Sequence, residues 1–428
     1  MNPIDPQMVR PMIRSVVGVL LLCGWCIACF PAASLQGAVV LGDEAVATNG
    51  FAPLLGRRLG LITNPSGVNS RLESTIDVLR TTKGVKLVAL FGAEHGVYGD
   101  IPAGQEFTNR VDRRTQLPLF SLYGPGPTRK PTPAMLKGLD ALVYDLQDTG
   151  CRSYTFISTM GQAMEACAEA GIEFIVLDRP NPLGGDRVEG PRLDPLFRSF
   201  VGRWDVPYVY GLTCGELARM INGEKWISRP CKLTVVPMQG WRRSMVWRDT
   251  GLAWIPTSPH VPHGDSPLYQ VATGLLGEIG GLSTGIGYTL PFQCLAAPWL
   301  DADRMAKVMN GYGIHGVGFV PFRYTPFYGA YKGQLVSGVE IIWTDPAHAP
   351  LMALNFYALG AVKRLAGRDL LAEAVKSGKS FEMFDKVNGT DATRRALTAG
   401  ASVGDLLARW KAGEEAFRQK RRPYLLYP

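Results

Sequence analysis

Carboxylates close three of the apolar runs in the first half of this chain. Val88 to Phe91 leads into Glu94, Leu142 to Tyr144 into Asp145 and Asp148, and Phe174 to Leu177 into Asp178. Short runs of this kind read as strands buried on both faces of a parallel sheet. Ligands of an open α/β sheet bind outside the carboxyl ends of its strands, so these turns should gather their acids in one crevice. Carboxyl groups so placed do acid/base work on a polar substrate.

The elements that must position them alternate between about residues 40 and 240. Leu59–Ile62 reads as a strand, followed by the Asn64-Pro65-Ser66-Gly67 loop and helical spacing at Leu72, Ile76 and Leu79. Strands over 87–91, 118–123, 141–145, 173–178 and 232–236 follow, with helices over 132–138, 156–170 and 213–222 between them. The 156–170 helix stops before Gly171, and the 213–222 helix opens on Thr213 with Glu216 three residues on, a capping box. Repeated βα units imply an α/β fold with a doubly wound parallel sheet. After about residue 240 the pattern changes: Pro and Gly are dense from Gly251 to Gly287, then strands (317–323, 334–344) lie among helices (301–310, 351–366, 368–377, 403–419). The expectation is a domain over 40–240, a smaller α+β domain over 241–428, and an active-site cleft between them.

A chain of 428 residues, 46% of them hydrophobic, can bury more than one core. Its net charge of +8 is scattered apart from Arg418-Gln419-Lys420-Arg421-Arg422, and a run of that kind is usually a solvated face, so nucleic acid is excluded as a partner. Arg10 and Arg14 precede an apolar stretch from Ser15 to Phe30 and then small residues at 31–34, the layout of a secretory signal over 1–34. The stretch is short for a transmembrane span, and no transmembrane anchor is expected. A lipoprotein acylated at Cys29, after Ala28, is the alternative. Either way the mature chain works outside the cytoplasm, periplasmic or extracellular. Beyond the leader, Cys151, Cys167, Cys214, Cys231 and Cys294 form neither a disulfide framework nor a metal set and read as buried small hydrophobes.

Four stretches carry a resemblance: Phe91 to Asp100 with its Glu94-His95-Gly96, Tyr144 to Met160 with Asp148, Arg152, Tyr154 and Thr159, Asp178 to Gly185, and Ala297 to Leu300. Together, from about Leu55 to the closing Pro423–Tyr427, they resemble the bacterial NamZ-type exo-β-N-acetylmuramidases. The resemblance implies a Rossmann-like domain plus a smaller C-terminal one. It also implies removal of N-acetylmuramic acid from the non-reducing ends of peptidoglycan fragments, with no cofactor, metal or nucleotide.

Glycoside hydrolysis needs a proton for the leaving oxygen and stabilisation or attack at the anomeric carbon, tasks that two carboxyl groups commonly divide. Glu94 is the candidate general acid, from its Gly-flanked turn at a strand end and from the resemblance alike; pairing with His95 or capping the turn is the structural alternative. Asp145 or Asp148 is the candidate second catalytic group, although Asp148 and Arg152 are spaced for a local ion pair. The substrate's own acetamido carbonyl is a further possibility for the attack. Arg152 offers a fork for the lactyl carboxylate, and Asn64, His95, Tyr154 and Thr155 offer polar contacts. Asp178 and Asn181, in a loop stiffened by Pro180 and Pro182, either orient a hydroxyl or anchor the loop.

One segment departs from the family. Where members resemble Glu-Gly-Thr-Asn-Leu-Ser-Glu-Gly-Arg-Gly-Thr-Thr-Arg-Pro-Phe, residues 278–292 keep Glu278, Ser283 and the glycine frame, both retained residues being candidate substrate contacts. They place Gly281, Thr284, Ile286 and Leu290 at the Asn, second Glu and two Arg positions. His260 and His263 stand where members have Pro-Asn-x-Pro, a weak metal signal. The resemblance therefore leaves two readings open: an exo-glycosidase for muramic acid or a related N-acetylhexosamine, and a divergent cell-wall glycan-binding protein with weak or no turnover. A serine esterase lacks a nucleophile elbow at Ser66, and the Gly280–Gly287 loop lacks the strand and helix of a nucleotide site. Trp241, Trp247 and Trp254 serve either as sugar platforms or as packing.

Overall fold

A computed structural model describes residues 39–125 and 129–428; the expected secretory signal over 1–34, with Cys29, lies outside them. The main sheet contains β1 (Arg58–Thr63), β2 (Lys86–Gly92), β3 (Arg110–Val111), β4 (Pro118–Ser121), β5 (Ala141–Asp145) and β6 (Glu173–Leu177). A ribbon of β7 (Glu189–Arg192) and β8 (Pro207–Val209) intervenes before its last strand, β9 (Leu233–Val236). The order is β3-β4-β2-β1-β5-β6-β9, with every neighbouring pair parallel except β3 with β4. Without the short β3, the parallel strands follow the doubly wound order, and the winding reverses between β1 and β5.

Sequence dictates this burial. Every residue of β5 and β6 is buried, as continuous apolar runs require when helices cover both faces. Phe156–Ala170 and Cys214–Gly223 supply the apolar layer on one face, and Gly42–Thr48 with Thr75–Thr81 the layer on the other. The longer helix ends on Gly171 at φ 70°, and the Thr213/Glu216 capping box forms.

The second half builds an antiparallel sheet in the order β10-β12-β11 from β10 (Cys294–Ala297), β11 (Val317–Tyr324) and β12 (Val336–Trp343). Ser266–Ile279, Ala302–Gly311 and Ala353–Ala366 pack on it. Ser266–Ile279 is a 14-residue helix inside the stretch dense in Pro and Gly, because Pro267 falls in its first turn, where no N–H is needed. No described helix is long and apolar enough to cross a membrane.

The basic run near the C-terminus is not a solvated face, which corrects the sequence expectation. The helix Val403–Arg421 brings it back to the first half, where buried Arg421 donates to the carbonyls of Gly185, Tyr210 and Gly211. Arg418 donates to Val188 O, and Lys420 pairs with Asp205 and Glu224. Tyr427 then reaches Asp178 under the main sheet's strand ends, and the described residues form one compact unit.

Candidate active site

The turn after β2 is the least ordinary backbone in the crevice. His95 is held at φ 71°, followed by Gly96 at 72°, and Gly96 N–H closes the turn on Ala93 O. A non-glycine residue in the left-handed region is sparsely populated and persists where its surroundings hold it. Here the buried His95 ring hydrogen-bonds through Nδ1 to Ile101 O at 3.0 Å. The turn leaves Glu94 half-buried, its Oε2 accepting from Thr155 Oγ1 at 2.7 Å and its Oε1 from Gly104 N–H at 3.0 Å. Thr155 is the N-cap residue of Phe156–Ala170, so a rigid helix start fixes the carboxylate.

Aromatic side chains stand near the Glu94–His95 turn. Tyr123, just beyond β4, has its pKa raised by burial and by the Glu94 charge, while the Arg129 guanidinium lies 3.5 Å over its ring. His260 is shifted towards its neutral form by burial and by His95, and its Nε2 lies 2.9 Å from the Tyr328 hydroxyl. His260 is thus a hydrogen-bonded member of this group.

Asp148 and Tyr154 complete the cluster. Burial pushes the Asp148 carboxyl up from 3.8 to about 6, against the Tyr210 hydroxyl and the Gly150 N–H that both donate to its Oδ2. Its buried Oδ1 makes no full hydrogen bond, nor does the buried Tyr154 hydroxyl, which has Ser258 and Thr257 beside it. Burial raises the Tyr154 pKa against the hydroxyls of Ser258 and Thr257, and the charges of Asp148 and Glu94 add to the rise. Buried polar atoms without partners are rare in native folds and call for an explanation.

Most other sequence-expected site residues are spent on architecture. Asp145 is fully buried and held by Arg179, through Nε at 2.5 Å and Nη2 at 3.0 Å, and by Thr75 Oγ1, with Asp43 beside them. This occupation corrects the expectation of a carboxylate free to face the crevice. Breaking such a pair strands a buried charge, so Arg179→Met is expected to cost about 3–5 kcal/mol, read as a fall in denaturation midpoint. Asp178 accepts from Thr213 Oγ1, Gly215 N–H and Tyr427 OH. Asn181 ties Leu212 O to Leu183 N–H, and Asn64 ties Thr257 O to Ser66. Thr257 in turn donates to Gln147 O, so the 257 loop seals the β1/β5 switch point.

Arg152 forms no ion pair with Asp148. Its fully buried guanidinium donates to the carbonyls of Pro191, Val206, Val387 and Asn388, so it cannot be the fork for a substrate carboxylate. Ser283 accepts from Tyr324 OH at 2.8 Å, and half-buried Glu278, whose pKa burial raises, faces the charge of Lys379. No contact brings either to Glu94. The three tryptophans pack internally: Trp241 edge-on to Tyr427, Trp247 edge-on to Trp254. The five cysteines of the described residues are buried and free.

The altered segment forms a wall. Tyr288 and Leu290 pack with Tyr324 and Phe322, and Tyr288 lies 5.5 Å from exposed Phe327. Gly287, at φ 93°, has the position of a Cβ only 1.9 Å from Tyr328 O, so only glycine lets this loop lie against the one bearing Tyr328.

Tyr123, Arg129, Tyr210 and Tyr328 were missed by sequence reasoning. Tyr123 alone carried a signal, since it follows its strand at the same end of the sheet as Glu94 follows β2.

A doubly wound sheet with Glu94 fixed beyond one strand end and, nearby in the sheet, a buried Asp148 whose carboxyl burial holds above its usual range has the layout of an acid/base hydrolase. The comparisons narrow the class. A profile described as exo-β-N-acetylmuramidase NamZ, N-terminal, matches residues 59–265, and its C-terminal counterpart matches 268–427. The peptidoglycan β-N-acetylmuramidase NamZ of Bacillus subtilis (strain 168) is 40% identical over 374 residues, 87% of this chain and 88% of the relative. A crystal structure of a DUF1343 family protein from Bacteroides fragilis NCTC 9343 superposes with TM-score 0.85 at 45% identity, covering 91% of this chain and 99% of that one. A second DUF1343 protein of the same strain gives TM-score 0.71 at 29% identity, with the same coverage. The chain belongs to the NamZ exo-β-N-acetylmuramidase family and is a glycoside hydrolase.

Proposed function

We propose that this chain is an exported enzyme that removes terminal β-N-acetylmuramic acid from peptidoglycan fragments, with Glu94 as the general acid. The observation that carries the assignment is the fixed Glu94 carboxyl just beyond β2, held by Thr155 and Gly104. Asp148 Oδ1 and Tyr154 OH are buried without a full hydrogen bond, which supports a polar role for this cluster. Asp148 is the second acid, shaping the charge at the anomeric centre or orienting the acetamido group. With Arg152 spent on carbonyls, Arg129 over Tyr123 takes the part of the guanidinium that meets the lactyl carboxylate.

A second reading rests on residues 278–290: with both family Arg positions apolar, the chain acts on a neutral N-acetylhexosamine or binds glycan without turnover. Leaderless protein is offered 4-nitrophenyl β-N-acetylmuramide and the matching β-N-acetylglucosaminide. Release from the muramide is expected. Release from the glucosaminide alone moves the specificity to a neutral sugar, and silence on both makes the binding-protein reading the right one.

A further inference from the structure

We propose that His315, Asp345 and His348 form a surface site for a divalent transition metal ion such as Zn²⁺. Two of the chain's five histidines meet here around one carboxylate. His315 Nε2 lies 3.1 Å from Asp345 Oδ2, and His348 Nδ1 lies 2.9 Å from the same oxygen. The donor atoms of all three lie within 4.8 Å of one another. Ligands bound to one ion at about 2.0–2.1 Å are spaced on that scale, and two imidazoles with a carboxylate are a donor set that suits zinc.

The backbone prepares this meeting. Val317 and Trp343 are the last paired residues of the β11/β12 hairpin, and the three donors sit just beyond them on both strands. Gly316 O accepts the N–H groups of Thr344 and Asp345, both at 3.0 Å, which ties the turn carrying His315 to the turn carrying Asp345. Gly316 is at φ 75°, and a Cβ there would stand 2.3 Å from Asp345 O, so this closeness is specific to glycine. The next carbonyl, Asp345 O, accepts from His348 N–H and Ala349 N–H, a turn that swings His348 back over the carboxylate.

An ion here would have three protein ligands, and the exposed donors, 71% for His315 and 73% for His348, leave its other positions to water. The plain alternative is that both imidazoles only hydrogen-bond to Asp345. The site lies at the opposite end of the eight-residue β11 from the Tyr328 loop, about 25 Å away at the rise of a strand. The ion is therefore a clamp across the open end of the β11/β12 pair, outside the hydrolytic chemistry, and the proposal stands or falls independently of the glycosidase reading.

Metal-stripped leaderless protein is titrated with zinc sulfate by calorimetry, in competition with a chromophoric zinc chelator. One equivalent is expected to bind at micromolar zinc and to raise the melting temperature. Both effects should be lost in His315→Ala and His348→Ala, whose side chains are exposed and whose circular dichroism should match the parent. His263→Ala should keep them. No binding by the parent, or binding that survives in the His315→Ala/His348→Ala double variant, overturns the site.

Discussion

Glu94→Gln should lower kcat/KM on a natural disaccharide fragment by about 10²–10⁴-fold and leave hydrolysis of the 4-nitrophenyl muramide much less affected. The difference comes from the leaving group. A sugar alkoxide is expelled only with a proton, whereas nitrophenolate leaves as a stable anion. The glutamine keeps the shape of the side chain: its oxygen can accept from Gly104 N–H while its amide donates to Thr155 Oγ1, so both contacts that fix the carboxyl can be kept. Because Glu94 is half-buried at a turn and carries no core packing, folding should be unchanged. The two substrates measured on one preparation decide the role. A parallel loss on both would mean that Glu94 only positions the sugar, and an undiminished variant would move the acid elsewhere.

The doubly wound sheet was legible because its strands are long apolar runs between helices with clear caps: β5 and β6 match their sequence ranges to within a residue. The acids at strand ends were legible for the same reason, since the position follows from the strand. Their division of labour was not. Asp145 and Asp178 sit at equivalent strand ends to Glu94, but Arg179 and Tyr427 claim them, and nothing in the local sequence marks those partners. Arg152 misled in the opposite direction. Its spacing from Asp148 suits a helical pair, yet Cys151–Thr155 is not helix, and the guanidinium turns to carbonyls as distant as Asn388. Tyr210 and Tyr328 join the cluster only through tertiary folding. Their contacts, to Asp148 and His260, cross 62 and 68 residues of chain.

Asp148→Asn tests whether the second acid is kept for function at the cost of stability. The folded-state pKa of Asp148 is raised from 3.8 to about 6, with burial as the first cause. The sign follows: the fold prefers the protonated carboxyl, so the parent loses stability as pH rises from about 4 to about 6 and carries the full penalty at pH 7. That penalty is on the order of 3 kcal/mol. Asparagine is neutral at every pH, and its oxygen can take over the bonds from Tyr210 OH and Gly150 N–H, while its amide group at the buried Oδ1 position costs about 1–3 kcal/mol of that gain. The variant should therefore melt no lower than the parent at pH 7, and up to about 3 °C higher for a chain of this size, and this difference should move against the variant as pH falls towards 4. Hydrolysis should fall by about 10²-fold or more if the ionised carboxylate supports the transition state. Calorimetry at the two pH values with rates on the muramide reads both halves. A variant that is as stable and fully active would leave Asp148 without a part in the reaction, and one destabilised at pH 7 would show that the charge serves the fold.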